Sequence, residues 1–565
     1  MAGSVSSKKF LIHTAWAIGD SNPAGSSWAD GYGTVGSRGW GDVMGGRCRA
    51  ATGLLALLLS SACGGSGATA GPPVTGLPPA GRPTLPADYR PSGHAAAGDV
   101  FVHLFEWPWT DIAAECESVL GPAGYRAVQV SPPQEHAVIA GAPWWQRYQP
   151  VSYSIDRSRS GTRAEFVAMV QRCRAAGVDI YVDAVINHMT AGAGTGSNGT
   201  VYTRYEYPGL YTAADFHAPC AVNDYSSAAN VQDCELVGLA DLHTGLPAVR
   251  EKIAAYLAEL ARLGVAGFRI DAAKHMQPTE LDSIVGRVNR TLAAEGRPLP
   301  YWFAEVIDNG GEGVRRDDYY GLGYASGGAV DITEFRARGA GERFAGARRL
   351  ATLRDFSPAA WSLMPADKAV VFLQNHDTQR STAPAVDYDD GDAYRLAHVW
   401  MLAQPYGYPS VLSGYAFDHA TIPGHDAGPP SDASGATTPV RCAARMEAAA
   451  VGQWTCEHRD PAIARMVGFR RAVAGSDLNR WWDNGADAIA FSRGTAGFVA
   501  MSRESAPVAA AVATGLPAGS YCDVLTGGRT GAACAGTRIE VDASGTVQLN
   551  LAPNTAIAIH AGTRL

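Results

Sequence analysis

A chain of 565 residues, 46% hydrophobic and 18% charged, has the make-up of an ordinary soluble globular protein with room for several domains. The formal net charge of -8 and the lack of any Lys/Arg run argue against a nucleic acid partner. In chain order, residues 1–43 are rich in Gly, Ser and Trp without sustained periodicity, and read as an unfolded upstream extension. From Met44 a basic start leads into a short apolar run and small residues before Cys63, the pattern of a secretory signal over 44–63. The run is shorter than the roughly 20 apolar residues of a membrane span. Cys63 stands where a lipidated cysteine would, with Ser60 where a lipid-attachment signal carries Leu, so secretion and a lipid anchor at the surface both stay open. Residues 64–98, with seven prolines among Gly, Ala and Thr, have the composition of a tether.

The folded part begins with the apolar strand Asp99–Glu106, followed by a helix over 110–120 and a strand at Ala127–Val130. A helix over 163–176 and a strand at 178–182 follow, the latter running into Asp183. Residues 190–240, rich in Gly, Asn, Tyr and Asp, break the rhythm as a loop-dominated insertion. Regular alternation then resumes: helix 247–263, strand 267–271, helix 280–295, strand 301–305, strand 329–332, strand 369–373, helix 392–402, strand 410–412 and helix 461–474. About eight β-then-α units imply a closed (β/α)8 TIM barrel over 99–189 and 241–475. Short alternating apolar runs with Gly-rich turns make residues 476–565 an all-β sandwich domain.

Ten cysteines make a redox statement. Beyond Cys48 and Cys63, eight offer the pairs Cys116–Cys173, Cys220–Cys234, Cys442–Cys456 and Cys522–Cys534, one choice among on the order of a hundred connectivities. None shows the spacing of a zinc site, and disulfides would place the protein in an oxidising compartment.

Three strands end in an acid. Gly267–His275 runs from a short strand into Arg269, Asp271, Lys274 and His275; Phe303–Val306 carries Glu305; Phe372–Asp377 carries His376 and Asp377. One such acid is an ordinary helix cap, but three converging on one barrel mouth suit glycosidic bond cleavage, where one acid protonates the leaving oxygen and a carboxylate attacks or activates water. Metal-dependent hydrolysis is the competing use, yet no two His stand at ligand spacing beside these acids.

Asp183–Met189, Gly267–His275, Phe303–Ile307 and Phe372–Arg380 resemble the four signature regions of the α-amylase family, the animal-type members in particular. The likeness extends over roughly residues 99–565. It implies that Asp271 is the nucleophile, Glu305 the general acid and then base, and Asp377 the stabiliser of the distorted sugar, in a retaining mechanism. Arg269, two residues from Asp271 on the same strand face, favours the ionised nucleophile. The resemblance further implies substrate contacts at Trp144, Trp145, Tyr148, Gln149, His188, Arg269, Lys274, His275 and His376.

Calcium is the implied metal, held by the Asn187 and Asp241 side chains and the Gln232 and His275 carbonyls, with Gln232 where animal members have Arg. Chloride-activated relatives hold the anion with two Arg and an Asn. Here Arg269 and Asn375 match, but Ser410 stands in place of the second Arg, so chloride is not expected to be required. The expected activity is endo-hydrolysis of α-1,4-glucosidic bonds in starch, glycogen and maltooligosaccharides by a secreted monomer. The alternatives are a maltooligosaccharide-forming or transglycosylating member of the same family, or a surface glucan-binding protein without catalysis.

Overall fold

The computed structural model describes residues 91–381 and 386–565. The upstream extension, the signal segment and Cys63 lie outside the described residues. Eight parallel strands close a barrel: β1 (Phe101–Leu104), β2 (Ala127–Val130), β3 (Asp179–Ala184), β4 (Gly267–Ile270), β5 (Tyr301–Ala304), β6 (Val330–Thr333), β7 (Ala369–Val371) and β8 (Tyr408–Ser413). Each strand pairs with its sequence neighbours, and β8 closes on β1 with Phe101 opposite Ser410.

Side chains along a strand alternate between faces. The inward set starts apolar and ends polar: Phe101 then His103, Tyr181 then Asp183, Phe303 then Glu305. Phe101, Ala127, Tyr181, Phe303, Val370 and Tyr408 pack together across the lower lumen, so the barrel is filled rather than hollow. Gly267 is required here, because a Cβ would meet Tyr181 Cδ1 at 2.6 Å and the Tyr301 carbonyl oxygen at 2.9 Å. The outward face of β4, Phe268 and Ile270, is wholly buried, with Phe268 packed on Trp302 at 5.0 Å between ring centroids.

Six of the strands lead to helices: α1 (Trp109–Glu115), α2 (Arg163–Ala175), α3 (Pro247–Arg262), α4 (Pro278–Ala294), α5 (Asp392–Ala403) and α6 (Pro461–Ala472). α2 opens with a Thr162/Glu165 capping box. The helix expected over 110–120 instead breaks after Glu115 into a π-helical turn, Cys116–Leu120. Strands β5 and β6 depart from the expected unit, since only short helical turns follow them. After β5 the chain carries Gly310, Gly311, Gly313, Gly321, Gly323, Gly327 and Gly328, a composition that opposes a regular helix.

The tether reading needs correction at its end. Gly93 and Gly98 flank a helical turn, His94–Ala97, that seals the barrel floor. His94 stacks on Tyr408 at 4.4 Å and donates to or accepts from Asp99 at 2.9 Å, and Ser92 Oγ donates to Asp331 Oδ2 at 3.0 Å. Floor aromatics expose faces that only a docked segment can cover, so residues 92–98 belong to the folded part.

The four disulfides Cys116–Cys173, Cys220–Cys234, Cys442–Cys456 and Cys522–Cys534 are formed as paired above. The C-terminal domain stacks two antiparallel sheets. One contains β9 (Leu478–Asp483), β10 (Ala488–Arg493), β11 (Gly497–Ser502) and β16 (Thr555–His560). The other contains β12 (Val508–Ala513), β13 (Gly519–Cys522), β14 (Arg538–Val541) and β15 (Thr546–Leu551). β10 and β11 are buried on both faces: Ile489, Phe491, Val499 and Met501 join the barrel core, while Ala490, Phe498 and Ala500 join the sandwich core. Buried Arg493 donates from Nη1 to the Ala403 carbonyl at 2.7 Å, tying the sandwich to the end of α5. Among the described residues, no helix is long and apolar enough to cross a membrane.

Candidate active site

Strand register builds the centre of the site. Asp183 on β3 is the register partner of Arg269 on β4, and Arg269 is the partner of Phe303 on β5. The pleat sends Asp183, Arg269 and, two residues on, Asp271 into the lumen. Beyond the strand ends the ladder continues, with Asp271 N donating to the Ala184 carbonyl and Glu305 N to the Ile270 carbonyl. Arg269 then spans three carboxylates. Its Nη1 donates to Asp183 Oδ1 at 2.6 Å and to Asp271 Oδ1 at 3.0 Å, and its Nη2 lies 2.9 Å from Glu305 Oε1 without hydrogen-bond alignment.

The backbone turns sharply after Asp271. Ala272 adopts a left-handed conformation, φ 48°, uncommon for a residue with a Cβ, and its N–H donates to Glu305 Oε2 at 3.0 Å. Asp377 completes the group on a helical turn after β7. Its own N–H donates to Asn375 Oδ1 at 3.1 Å, and its Oδ2 lies 3.4 Å from His376 Nε2. The His376 ring stacks on Tyr148 at 5.1 Å, and the Tyr148 hydroxyl donates to Asp183 Oδ2 at 2.9 Å. The three strand-end acids are therefore brought together, with Asp183 as a fourth.

Three carboxyl groups share one guanidinium in a buried site, with the Asp377 carboxyl beside them. Burial pushes Asp271 well above the usual carboxylate range; Arg269 opposes this, while Glu305, Asp183 and Asp377 add to it. Burial, then Glu305, raises Asp377 to about 7. Burial likewise raises Asp183, against Arg269. The attraction of Arg269, the sequence argument for an ionised Asp271, is thus opposed by burial and by three neighbouring acids. Carboxyls crowded in this way do not all ionise together, so an acid and a carboxylate coexist in one cluster.

Asp183 is the functional residue that the sequence reading left without a role. Its signal was the same as for the other three, an acid ending an apolar strand. Several residues expected to touch substrate are largely engaged with protein. Trp144 is 4% exposed, packs against Phe105, Tyr148 and His376, and donates from Nε1 to the His425 carbonyl at 3.0 Å. Trp145 is partly exposed and donates to Asp426 Oδ1 at 3.2 Å. The Gln149 carboxamide accepts from Ala191 N at 3.1 Å, and His188 Nε2 lies 2.9 Å from the Tyr148 carbonyl oxygen. Lys274 is buried, paired with Glu312 and set 4.8 Å from the Tyr225 ring centre.

Two of the residues expected to hold calcium meet, Asn187 and Asp241. Asn187 Nδ2 donates to Asp241 Oδ1 at 3.2 Å, while Asn187 Oδ1 is buried with no hydrogen-bond partner among the described residues. Burial raises Asp241 to about 7 despite the His217 imidazole at 2.7 Å. An orphaned amide oxygen beside a buried carboxyl is a donor set that a hard cation would satisfy. The short helix Ala228–Asp233, carrying Gln232, packs on the Ala273–His275 turn, where His275 Nδ1 lies 2.8 Å from the Val231 carbonyl oxygen. Tyr319 adds a second tie: its hydroxyl accepts from Gln232 Nε2 at 3.0 Å and donates to the Met276 carbonyl at 2.7 Å.

Comparison with known proteins agrees over most of the described chain. A model of the alpha amylase catalytic domain matches residues 146–296, and one of the alpha amylase C-terminal all-beta domain matches 481–562. An alpha-amylase of Tribolium castaneum is 42% identical over 484 residues, 83% of this chain and 96% of the relative. One from Thermomonospora curvata is 44% identical over 485 residues, 84% and 75% of the two chains. Among solved structures, alpha-amylase I of Eisenia fetida aligns with a TM-score of 0.74 at 38% identity, covering 84% of this chain and 98% of that one. Its glutamate-to-glutamine variant in complex with maltohexaose aligns with a TM-score of 0.75 at 37% identity, covering 82% and 97%.

Proposed function

The chain belongs to the α-amylase family of glycoside hydrolases, and from that premise we propose that it cleaves internal α-1,4-glucosidic bonds of starch and glycogen with retention of anomeric configuration. The observation that carries this reading is the Arg269-centred group of Asp183, Asp271 and Glu305, with Asp377 beside it.

In this reading Asp271 attacks the anomeric carbon while Glu305 gives its proton to the departing glycosidic oxygen. Deprotonated Glu305 then takes a proton from water, which releases the sugar from Asp271 with its original configuration. Glu305 carries the proton of the shared cluster, which leaves Asp271 as the attacking carboxylate, and positive charge developing on the sugar ring is what Asp271 and Asp377 stabilise. Arg269 holds Asp271 and Glu305 at opposite ends of one planar fork, and Asp183 holds Arg269, so Asp183 is a positioning residue. Trp145 and Tyr148 offer ring surface to glucose units, and Gln149, His188, Lys274, His275 and His376 supply polar contacts around the cleavage point. Trp144 acts as the support beneath His376.

Calcium would be held by Asn187, Asp241 and the carbonyls of Gln232 and His275. Its contribution is structural, fastening the 190–240 insertion to the rim of the cleft. Chloride is not required: Arg269 is already committed to three carboxylates, and Ser410 brings no second cation to the central cavity that it lines with Arg269 and Asn375. Four disulfides support export to an oxidising compartment, with the enzyme acting as a secreted monomer on dissolved glucan. Proton NMR of the first products released from maltooligosaccharide tests the mechanism. The α-anomer is expected, and initial release of the β-anomer would overturn it.

A further inference from the structure

We propose that Asp387, Asp389 and His419 form a second metal site, apart from the Asn187/Asp241 region, that takes a borderline divalent cation of the zinc class. One ligand atom from each of the three lies within 4.8 Å of the others. The independent pointer is Asp387: the residue is 2% exposed, and its Oδ2 is buried and makes no aligned hydrogen bond among the described residues while facing His419 Nδ1 at 3.8 Å. Its other oxygen is engaged, accepting from Tyr388 N at 2.6 Å. The neighbouring Gln374 carboxamide interacts with Asp387, yet neither its nitrogen nor its oxygen makes an aligned hydrogen bond among the described residues, so polar capacity beside the carboxyl is left over.

The imidazole is prepared for ligation. His419 stacks on Phe417 at 4.1 Å, and its Nε2 lies 3.0 Å from the Tyr388 hydroxyl. With Nε2–H donating to that hydroxyl, the Nδ1 lone pair points to the carboxylates, the second-shell arrangement usual for a metal-bound histidine. One imidazole and two carboxylates suit zinc or cobalt with water completing the shell, and fall short of the six to eight oxygens of calcium. The two aspartates balance a divalent charge, while Arg380, whose charge reaches His419, lies 4.6 Å from the centre of the Phe417 ring. An ion here would join the segment after catalytic Asp377 to the loop after β8. That loop carries His425, whose Nε2 lies 2.9 Å from the His419 carbonyl oxygen and whose own carbonyl accepts from Trp144. The site therefore braces the aromatic wall of the cleft.

The test uses the full chain with calcium in excess throughout, so that the Asn187/Asp241 region is never the variable. Chelator-treated wild type, His419→Gln and Asp389→Asn are dialysed against zinc or cobalt, and bound metal is counted. The wild type is expected to hold one more zinc per chain than either variant and to show a cobalt visible band that both lack. At about a hundredfold excess over Kd, zinc should raise Tm by about 2–4 °C in the wild type only. Asp389 is exposed, so its variant keeps the comparison valid if His419→Gln fails to fold. Equal zinc in wild type and Asp389→Asn, or no cobalt band and no Tm response in the wild type, would overturn the site and assign the pocket to water.

Discussion

Replacing Asp331 by Asn separates stability from catalysis within one barrel. Asp331 sits on β6 at the floor, fully enclosed, where it accepts from the Tyr301 hydroxyl at 2.9 Å and from Ser92 Oγ at 3.0 Å, both on Oδ2; Oδ1 is buried without a partner among the described residues. Burial raises its carboxyl from 3.8 to about 7, and the two hydrogen bonds only partly offset this. Between those values the folded chain binds more protons than the unfolded one. The contribution is therefore complete below about pH 3.8 and is lost as pH rises through about 7. At about 1.4 kcal/mol for each pH unit, the loss amounts to about 4 kcal/mol, an upper figure because the site relaxes around a charge. Asparagine keeps the acceptor for Tyr301 and Ser92 and cannot ionise. Thermal denaturation of wild type and Asp331→Asn from about pH 4.5 to about pH 8 should show the variant gaining on the wild type as pH rises. The gain at the alkaline end should be about 2–4 kcal/mol, or about 1 °C for each kcal/mol in a fold of this size. Starch hydrolysis should be unchanged, because the floor lies opposite the strand ends that carry the chemistry. A Tm difference that does not vary with pH, or a variant less stable at about pH 8, would refute the electrostatic argument.

Glu305→Gln should retain glucan binding and lose turnover by at least about 10³-fold, measured by reducing-sugar release alongside calorimetric titration with a maltooligosaccharide; residual turnover near wild type would remove Glu305 from its role. Chelation should lower Tm and activity together, both recovering on calcium addition, and indifference to chelator would count against the Asn187/Asp241 site. Chloride added to halide-free enzyme should leave the rate of starch hydrolysis unchanged, whereas a large rise would require a second cation near Arg269. Burial works against ionised Glu115, yet hydrogen bonds and charge from His458 and Arg459 hold it down to about 2, so its contribution is present above about pH 4.5 and fades as pH falls toward about 2. Glu115→Gln should cost about 2 kcal/mol near neutrality, and this difference should shrink in denaturation curves taken below about pH 4.5.

The sequence exposes what is local and periodic. Strand β4 could be placed because Gly267, Arg269 and Asp271 alternate with Phe268 and Ile270, and the position of each acid at a strand end put it at the barrel mouth. Neighbours across the barrel were less accessible. Arg269 was visible as a cation near Asp271, but the burial and the crowding by Glu305, Asp183 and Asp377 that oppose it depend on strand register and closure. The pairing of Lys274 with Glu312 spans 38 residues and a Gly-rich stretch without period. The docking of His94 escaped notice because its partners, Tyr301 and Tyr408, come from distant strands and nothing local marks residues 92–98 as more than tether.

A single guanidinium serving three carboxylates makes the catalytic centre one titrating object. Removing any member redistributes protons among the survivors, so losses measured one substitution at a time will sum to more than the whole. Double-mutant cycles between Asp183 and Arg269 should accordingly report strong coupling, and a designer wishing to move the working pH of this enzyme would do better to change the number of acids around Arg269 than to adjust any one of them.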